Sequence, residues 1–237
     1  MSIQPRIDDY WTHRAPAYDS GQRRPERWDD DAAMWSSIWS RALPSTPSRV
    51  LDLGTGTGHA ALLVAGLGHD VTGVDSSPGM LEIAQEHADR ARADGRPAPT
   101  FALGDAVDPP FADGSLDAVI CRYVTWTLRE PVAALSRWRG LLRPGGVLAV
   151  VDSTWFTDGL EGSPPEFVDA YGPVLADLPL ALASSIEPTV AAIREAGFTD
   201  VFVRDLTEVL EADERHGAAP GHRPRMQHLV TARTCPF

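Results

Sequence analysis

The 237-residue chain has no lysine and no asparagine, so every basic side chain other than histidine is an arginine. Schiff-base chemistry and lysine general bases are thereby excluded. Cysteine is nearly absent as well: Cys121 lies in an apolar run and Cys235 near the end, and neither suggests a disulfide framework. No stretch approaches the roughly 18 consecutive apolar residues of a membrane span. The first residues carry acidic side chains where a secretory leader needs an apolar centre, which predicts a cytosolic protein. Positive charge is scarce, with 21 basic against 33 acidic side chains and a formal net charge of −12. Such a field repels a phosphate backbone, and nucleic acid is a poor partner.

Apolar residues are plentiful. At 43% hydrophobic the chain can fill a sizeable core. Met34, Trp35, Ile38, Trp39, Ala42 and Leu43 recur at helical spacing and stop before Pro44. Ahead of them Tyr10 to Asp19 shows only a broken helical pattern. From Arg49 short apolar strands alternate with longer helices, which predicts an α/β fold with a mostly parallel sheet covered on both faces. Strands are expected near 49–54, 70–75, 99–104, 116–122 and 145–152, with a last one at 227–232. Ser77 caps a helix that has Pro78 at its first position, and Pro131 opens another. The segment after Asp152 is too apolar for a linker. We read one domain over 1–237: an N-terminal helical lid (1–43), a core (44–152), an insertion facing the second substrate (153–187) and a C-terminal part (188–237).

The sharpest local signal is Val-Leu-Asp-Leu-Gly-Thr-Gly-Thr-Gly at 50–58, between a strand and a helix. Gly54 and Gly56 allow a tight turn and a close ligand, and the helix start favours an anionic group. Glycine turns of this kind also serve dinucleotides. Asp75, twenty-one residues beyond Gly54, ends the second strand, where a carboxylate can accept hydrogen bonds from ribose hydroxyls. Asp52 stands inside the first strand and must meet donors or a cation there. Asp105 sits at the tip of the third strand, placed to accept from an adenine amino group.

The order of these motifs, with Gly-Val-Asp-Ser-Ser-Pro-Gly-Met-Leu at 73–81, Gly-Asp-Ala at 104–106, Pro-Phe-Ala-Asp-Gly-Ser-Leu-Asp-Ala at 110–118 and Leu-Leu-Arg-Pro-Gly-Gly-Val-Leu at 141–148, resembles the class I S-adenosylmethionine (SAM) dependent methyltransferases. It is most similar to the branch with menaquinone and ubiquinone C-methyltransferases and antibiotic-tailoring enzymes. The resemblance implies a Rossmann-like seven-stranded sheet of order 3-2-1-4-5-7-6, its last strand antiparallel. It also implies SAM as cofactor and a small-molecule acceptor. Gly54, Thr55 and Gly56 would line the methionine part, Asp75 with Ser76 beside it would hold the ribose, Met80 would pack on the adenine, and Asp105 with Ala106 would read its edge. Cys121 and Arg122 would face the sulfonium side, joined there by Asp52.

Methyl transfer is an in-line displacement at a cationic sulfur, so positioning and water exclusion supply most of the acceleration. Groups expected near the acceptor are His13, Tyr123, Trp126 and Arg122, with Tyr18 as the catalytic candidate because the resemblance brings it over the cofactor. His216, His222 and His228 match no ligand spacing, so a solvated loop and no metal are expected. Two other readings share the glycine turn: a nicotinamide-dependent oxidoreductase, and a SAM-binding regulator without turnover. The oxidoreductase leaves Asp52 and the Asp105 motif without a role.

Overall fold

The computed structural model describes residues 3–45, 47–157, 159–218 and 223–236. A seven-stranded sheet forms the centre. Its strands are β1 (Arg49–Leu53), β2 (Asp70–Asp75), β3 (Thr100–Leu103), β4 (Leu116–Arg122), β5 (Leu142–Ser153), β6 (Thr199–Asp205) and β7 (Gln227–Arg233). They lie in the order β3-β2-β1-β4-β5-β7-β6. Pairing is parallel from β3 through β5, while β7 runs antiparallel to both β5 and β6. The order and the reversed last strand are those implied by the sequence motifs.

Side chains alternate across a strand, and here each set meets its own helix layer. Leu51, Leu53, Val119, Cys121, Leu148 and Val150 pack with α5 (Pro131–Leu141) and α7 (Glu187–Glu195), where Trp138, Leu135 and Ile193 are wholly buried. Val50, Ala118, Ile120, Ala149 and Val151 face the other way, onto α2 (Trp28–Ala42), α3 (His59–Gly66) and α8 (Thr207–His216). The continuous apolar runs of β4 and β5 follow from burial on both faces.

The remaining helices bear on the site. The first, α1 (Gln4–Gln22), runs unbroken through Pro16, where the sequence pattern predicts a broken helix. A proline inside a helix forfeits one backbone bond and crowds the preceding turn. Tertiary packing offsets that cost: Ala15 is buried, and Tyr10 and Trp11 join an aromatic cluster with Trp126, Phe156, Phe167 and Tyr171. Two of those partners, Phe167 and Tyr171, stand on α6 (Pro165–Tyr171) within the 153–187 segment. The indole N–H of Trp11 donates to the Tyr171 hydroxyl at 2.7 Å. On its other side α1 meets α4 (Pro78–Ala93), capped by Ser77 and begun by Pro78 as its sequence indicates. No helix among the described residues is long and apolar enough to cross a membrane.

Candidate active site

The carboxyl ends of β1, β2 and β4 open into a cavity of about 1130 Å³, roofed by α1 and the 153–187 segment. Crevices at this end of an open parallel sheet are where such folds place their ligands. Gly54 and Gly56 form part of the floor with φ of +63° and +56°. A Cβ on Gly54 would stand 2.4 Å from Val124 Cγ2, so no side chain fits there. Above Gly56 the nearest atom to such a Cβ is Tyr18 Cε1, at 3.8 Å.

Asp75 organises this floor. Its Oδ2 accepts the N–H of Gly56 at 2.8 Å and its Oδ1 that of Ser77 at 2.9 Å, tying the glycine turn to the start of α4. Burial raises its pKa, and these backbone donors oppose the shift without cancelling it. Each oxygen keeps a lone pair for a further donor. Ser76 donates to Asp8 of α1 at 2.8 Å, and Met80, only 3% exposed, lines the same groove. At the groove's far end Asp105 is exposed and accepts the Val107 N–H at 2.8 Å, while the Ala106 carbonyl receives the Trp138 indole N–H.

Asp52 is 1% exposed and lies beneath the floor, apart from the cavity lining. The donor it needs is the Thr55 hydroxyl, 2.6 Å from Oδ2. Burial pushes its pKa up to about 7 against that hydrogen bond and the field of Arg122. Cys121 is also wholly buried, in the core behind β4, and its thiol is pushed well up by burial.

Past β4 the lining becomes aromatic. Tyr123 has a φ of +66°, unusual for a residue with a large side chain, and its hydroxyl donates to Gln227 Oε1 on β7. Arg122 donates to Gln22 Oε1 at 2.8 Å, with its guanidinium carbon 4.9 Å from both the Trp35 and Tyr123 rings. Tyr18 crosses above; burial raises its pKa although Arg122 pulls it back. Trp126 completes this wall.

The structure thus brings Tyr18, Gly54, Gly56, Asp75, Ser76, Met80, Asp105, Ala106, Arg122, Tyr123 and Trp126 to one cavity. Thr55, Asp52 and Cys121 lie behind it. His13 is exposed on α1, its Nδ1 2.7 Å from the Asp9 carbonyl, and does not reach the lining. Of the three histidines, His216 ends α8 instead of lying in a loop, His228 pairs with Asp205 from within β7, and His222 falls outside the described residues.

Asp152, at the end of β5, carries a role that no sequence motif assigns to it. One carboxylate oxygen accepts the Thr125 hydroxyl and the Trp126 N–H; the other accepts the Ser153 N–H and the Trp155 indole at 2.6 Å. Two cavity tryptophans are set by this single buried group. A lone acidic residue closing an apolar strand was the available signal.

A family model described as a methyltransferase domain matches residues 51–150. The demethylmenaquinone methyltransferase of Clavibacter sepedonicus is 31% identical over 205 residues, spanning 80% of this chain and 81% of its own. That of Beutenbergia cavernae is 32% identical over 221 residues, or 81% and 85% of the two chains. The chain belongs to the class I SAM-dependent methyltransferases. As a member it is an enzyme that uses SAM to methylate a small molecule, which sets aside both the nicotinamide-dependent and the regulator readings. The fold of this methyltransferase is also that of geranyl diphosphate C-methyltransferase from Streptomyces coelicolor A3(2), with a TM-score of 0.69 over 98% of each chain at 16% identity.

Proposed function

We propose that this methyltransferase holds SAM along the Gly54–Asp75–Asp105 groove and methylates a small apolar aromatic acceptor seated between α1 and α6. The observation that carries the reading is the chemical division of one cavity: glycine floor and carboxylates at one end, Tyr10, Trp11, Trp126, Phe156, Phe167 and Tyr171 at the other. Its volume exceeds the roughly 300–1,000 Å³ of a site for one drug-sized ligand, leaving room for two molecules. The groove suits the cofactor. Asp75 offers its remaining lone pairs to ribose hydroxyls, Met80 an apolar surface to the adenine, and Asp105 an acceptor to the adenine amino group.

SAM, when bound, supplies a methyl group on a positively charged sulfur. The chain's own part is to align the acceptor and exclude water, worth up to about 7–11 kcal/mol when geometry is right. We assign the first 43 residues and the 153–187 segment to that task, as roof and acceptor wall. Tyr18 crosses directly over Gly56, and because burial holds its phenol neutral it acts as a hydrogen-bond donor that positions the reactants. Tyr123 and Trp126 shape the acceptor wall. Demethylmenaquinone, named for the relatives, belongs to the proposed acceptor class.

Radiolabelled SAM incubated with the enzyme and a panel of small phenols, reduced naphthoquinones and aliphatic amines tests this. Label is expected in the aromatic compounds. Transfer to the aliphatic amines alone overturns the acceptor assignment.

A further inference from the structure

Besides the glycine floor and the aromatic wall, the cavity has a third sector, lined by Arg27 at the start of α2, Val209 and Asp213 on α8, and Gln227 at the start of β7. Tyr123 stands between this sector and the aromatic wall. Its hydroxyl donates to Gln227 Oε1, and its ring meets Trp155 edge-on with centroids 4.9 Å apart. Trp155 in turn packs against the cluster that holds Trp126, Phe156 and Phe167. A ligand lying on that wall is therefore within reach of Tyr123. The left-handed backbone at Tyr123, whose N–H donates to the Val151 carbonyl at 2.8 Å, is a second mark of a ligand site. Such a conformation costs free energy in a residue with a large side chain, and it collects where ligands bind.

The hydrogen-bond sense of this tyrosine is set from behind. Gln227 is 5% exposed, and its Nε2 faces Asp213 Oδ2 at 3.5 Å. The other oxygen of Asp213 accepts Arg27 Nη1 at 3.2 Å, and Arg27 is fixed in turn by Asp31, 2.7 Å from Nη2. A carboxylate paired with a guanidinium accepts and does not donate, so it draws the NH2 end of the amide and leaves Oε1 toward Tyr123. The phenol has one hydrogen, and Oε1 takes it. Burial raises the phenol's pKa, which keeps that hydrogen in place. What remains to Tyr123 is the accepting capacity of its oxygen.

We propose that Tyr123 recognises a hydroxyl on the ring of the acceptor, with Gln227 and Asp213 as positioning residues that fix the sense of the contact. The inference rests on the aromatic-acceptor reading above and narrows it. A ring that carries a hydroxyl donates to the phenol oxygen. The same ring with that oxygen already capped as an ether has nothing to donate, and the buried acceptor is left unmatched.

Calorimetry on protein mixed with excess S-adenosylhomocysteine tests this with three probes: 1-naphthol, which donates, 1-methylnaphthalene, which has the same size and no polar group, and 1-methoxynaphthalene, which only accepts. Tyr123→Phe keeps the ring and removes the oxygen. It is expected to lower the preference for 1-naphthol over 1-methylnaphthalene by about three- to ten-fold, while 1-methylnaphthalene binds as to wild type and so reports an intact wall. Gln227→Leu frees the phenol's hydrogen, and affinity for 1-methoxynaphthalene is expected to rise by a similar factor. A gain of this kind is not produced by loosened packing. Should Gln227→Leu fail to fold, Tyr123→Phe carries the test by itself. An unchanged preference in Tyr123→Phe, or equal losses for 1-naphthol and 1-methylnaphthalene, overturns the Tyr123 contact alone. Wild-type protein that binds none of the three probes overturns the aromatic acceptor wall and the contact together.

Discussion

Asp19 on α1 holds His87 on α4, with Nε2 2.9 and 3.0 Å from the two carboxylate oxygens. His87 is 7% exposed, so the pair is a largely dry clamp between the roof and the core. Burial works against the Asp19 charge, but the hydrogen bond and charge of His87, the Thr57 hydroxyl and Arg23 outweigh it and hold the carboxyl below its usual range. A carboxylate with a depressed folded pKa stabilises the fold above its unfolded value, near 4, and loses that contribution as pH falls further. Asp19→Ala is expected to cost about 1–3 kcal/mol at neutral pH, read by urea unfolding. The gap between wild type and variant should close below pH 4; a gap unchanged at pH 3 would show that the ionised Asp19 is not what holds α1.

Gly79 offers a cleaner way to displace the roof. A Cβ at this position would lie 2.7 Å from the Thr12 carbonyl oxygen and 2.9 Å from its Cα, both backbone atoms that cannot turn aside. Gly79→Ala must therefore push α1 away from α4, at a cost of about 1–3 kcal/mol. Trypsin should cut at Arg14 and Arg23 faster than in wild type. Methyl transfer should fall by about ten- to a hundred-fold, the scale of a misplacement near 1 Å, while S-adenosylhomocysteine affinity changes much less. Equal losses in both would show that α1 serves cofactor binding as much as alignment.

What the sequence disclosed was local. Strand alternation, the glycine turn, Asp75 at a strand end and the Ser77–Pro78 helix start are written within a few residues, and all four stand where they were read. The continuity of α1 was hidden because Pro16 argues for a break, and the packing that overrides it comes from residues 65 or more positions away, on α4 and in the aromatic cluster. For α8 the apolar stripe is too thin to announce a helix, since Val209 is its one buried residue. Asp152, the Asp19–His87 clamp and the stacking of Arg122 on Trp35 depend on chain segments meeting in space, which no spacing rule encodes.

Asp52 should leave a pH signature. Its folded pKa, raised to about 7 chiefly by burial, stands above the unfolded value, so the fold favours the protonated form. Stability from this group is full below pH 4 and is lost as pH rises toward and through 7. Between pH 5 and 8 the loss is on the order of 2–3 kcal/mol. Asp52→Asn keeps an acceptor for the Thr55 hydroxyl and removes the titration. Urea unfolding at both pH values should show a smaller drop in the variant by that amount; identical drops would mean that Asp52 titrates alike in both states.

Asp75→Ala is expected to weaken S-adenosylhomocysteine binding by about 1.5–3 kcal/mol, since the carboxylate would lose its ribose contacts. It should also lower stability, because Gly56 and Ser77 lose their acceptor. Asp75→Asn keeps one oxygen and should show a smaller loss on both counts. Calorimetry that finds the alanine variant binding as tightly as wild type would remove Asp75 from the cofactor groove.

The placement of β7 bears on how the enzyme is made. Strand β7 enters between β5 and β6, and among the described residues β6 pairs with no other strand. During synthesis, at roughly 5–20 residues per second, β6 and the helices around it must wait without a sheet neighbour until the residues to Arg233 emerge. Gln227, which receives the Tyr123 hydroxyl, arrives with that strand. The cofactor groove is thus encoded ahead of β6 and β7, while the wall beyond it waits for β7. A ribosome stalled before β7 would present a half-built enzyme with an open sheet edge, the very surface on which nascent chains stick to one another.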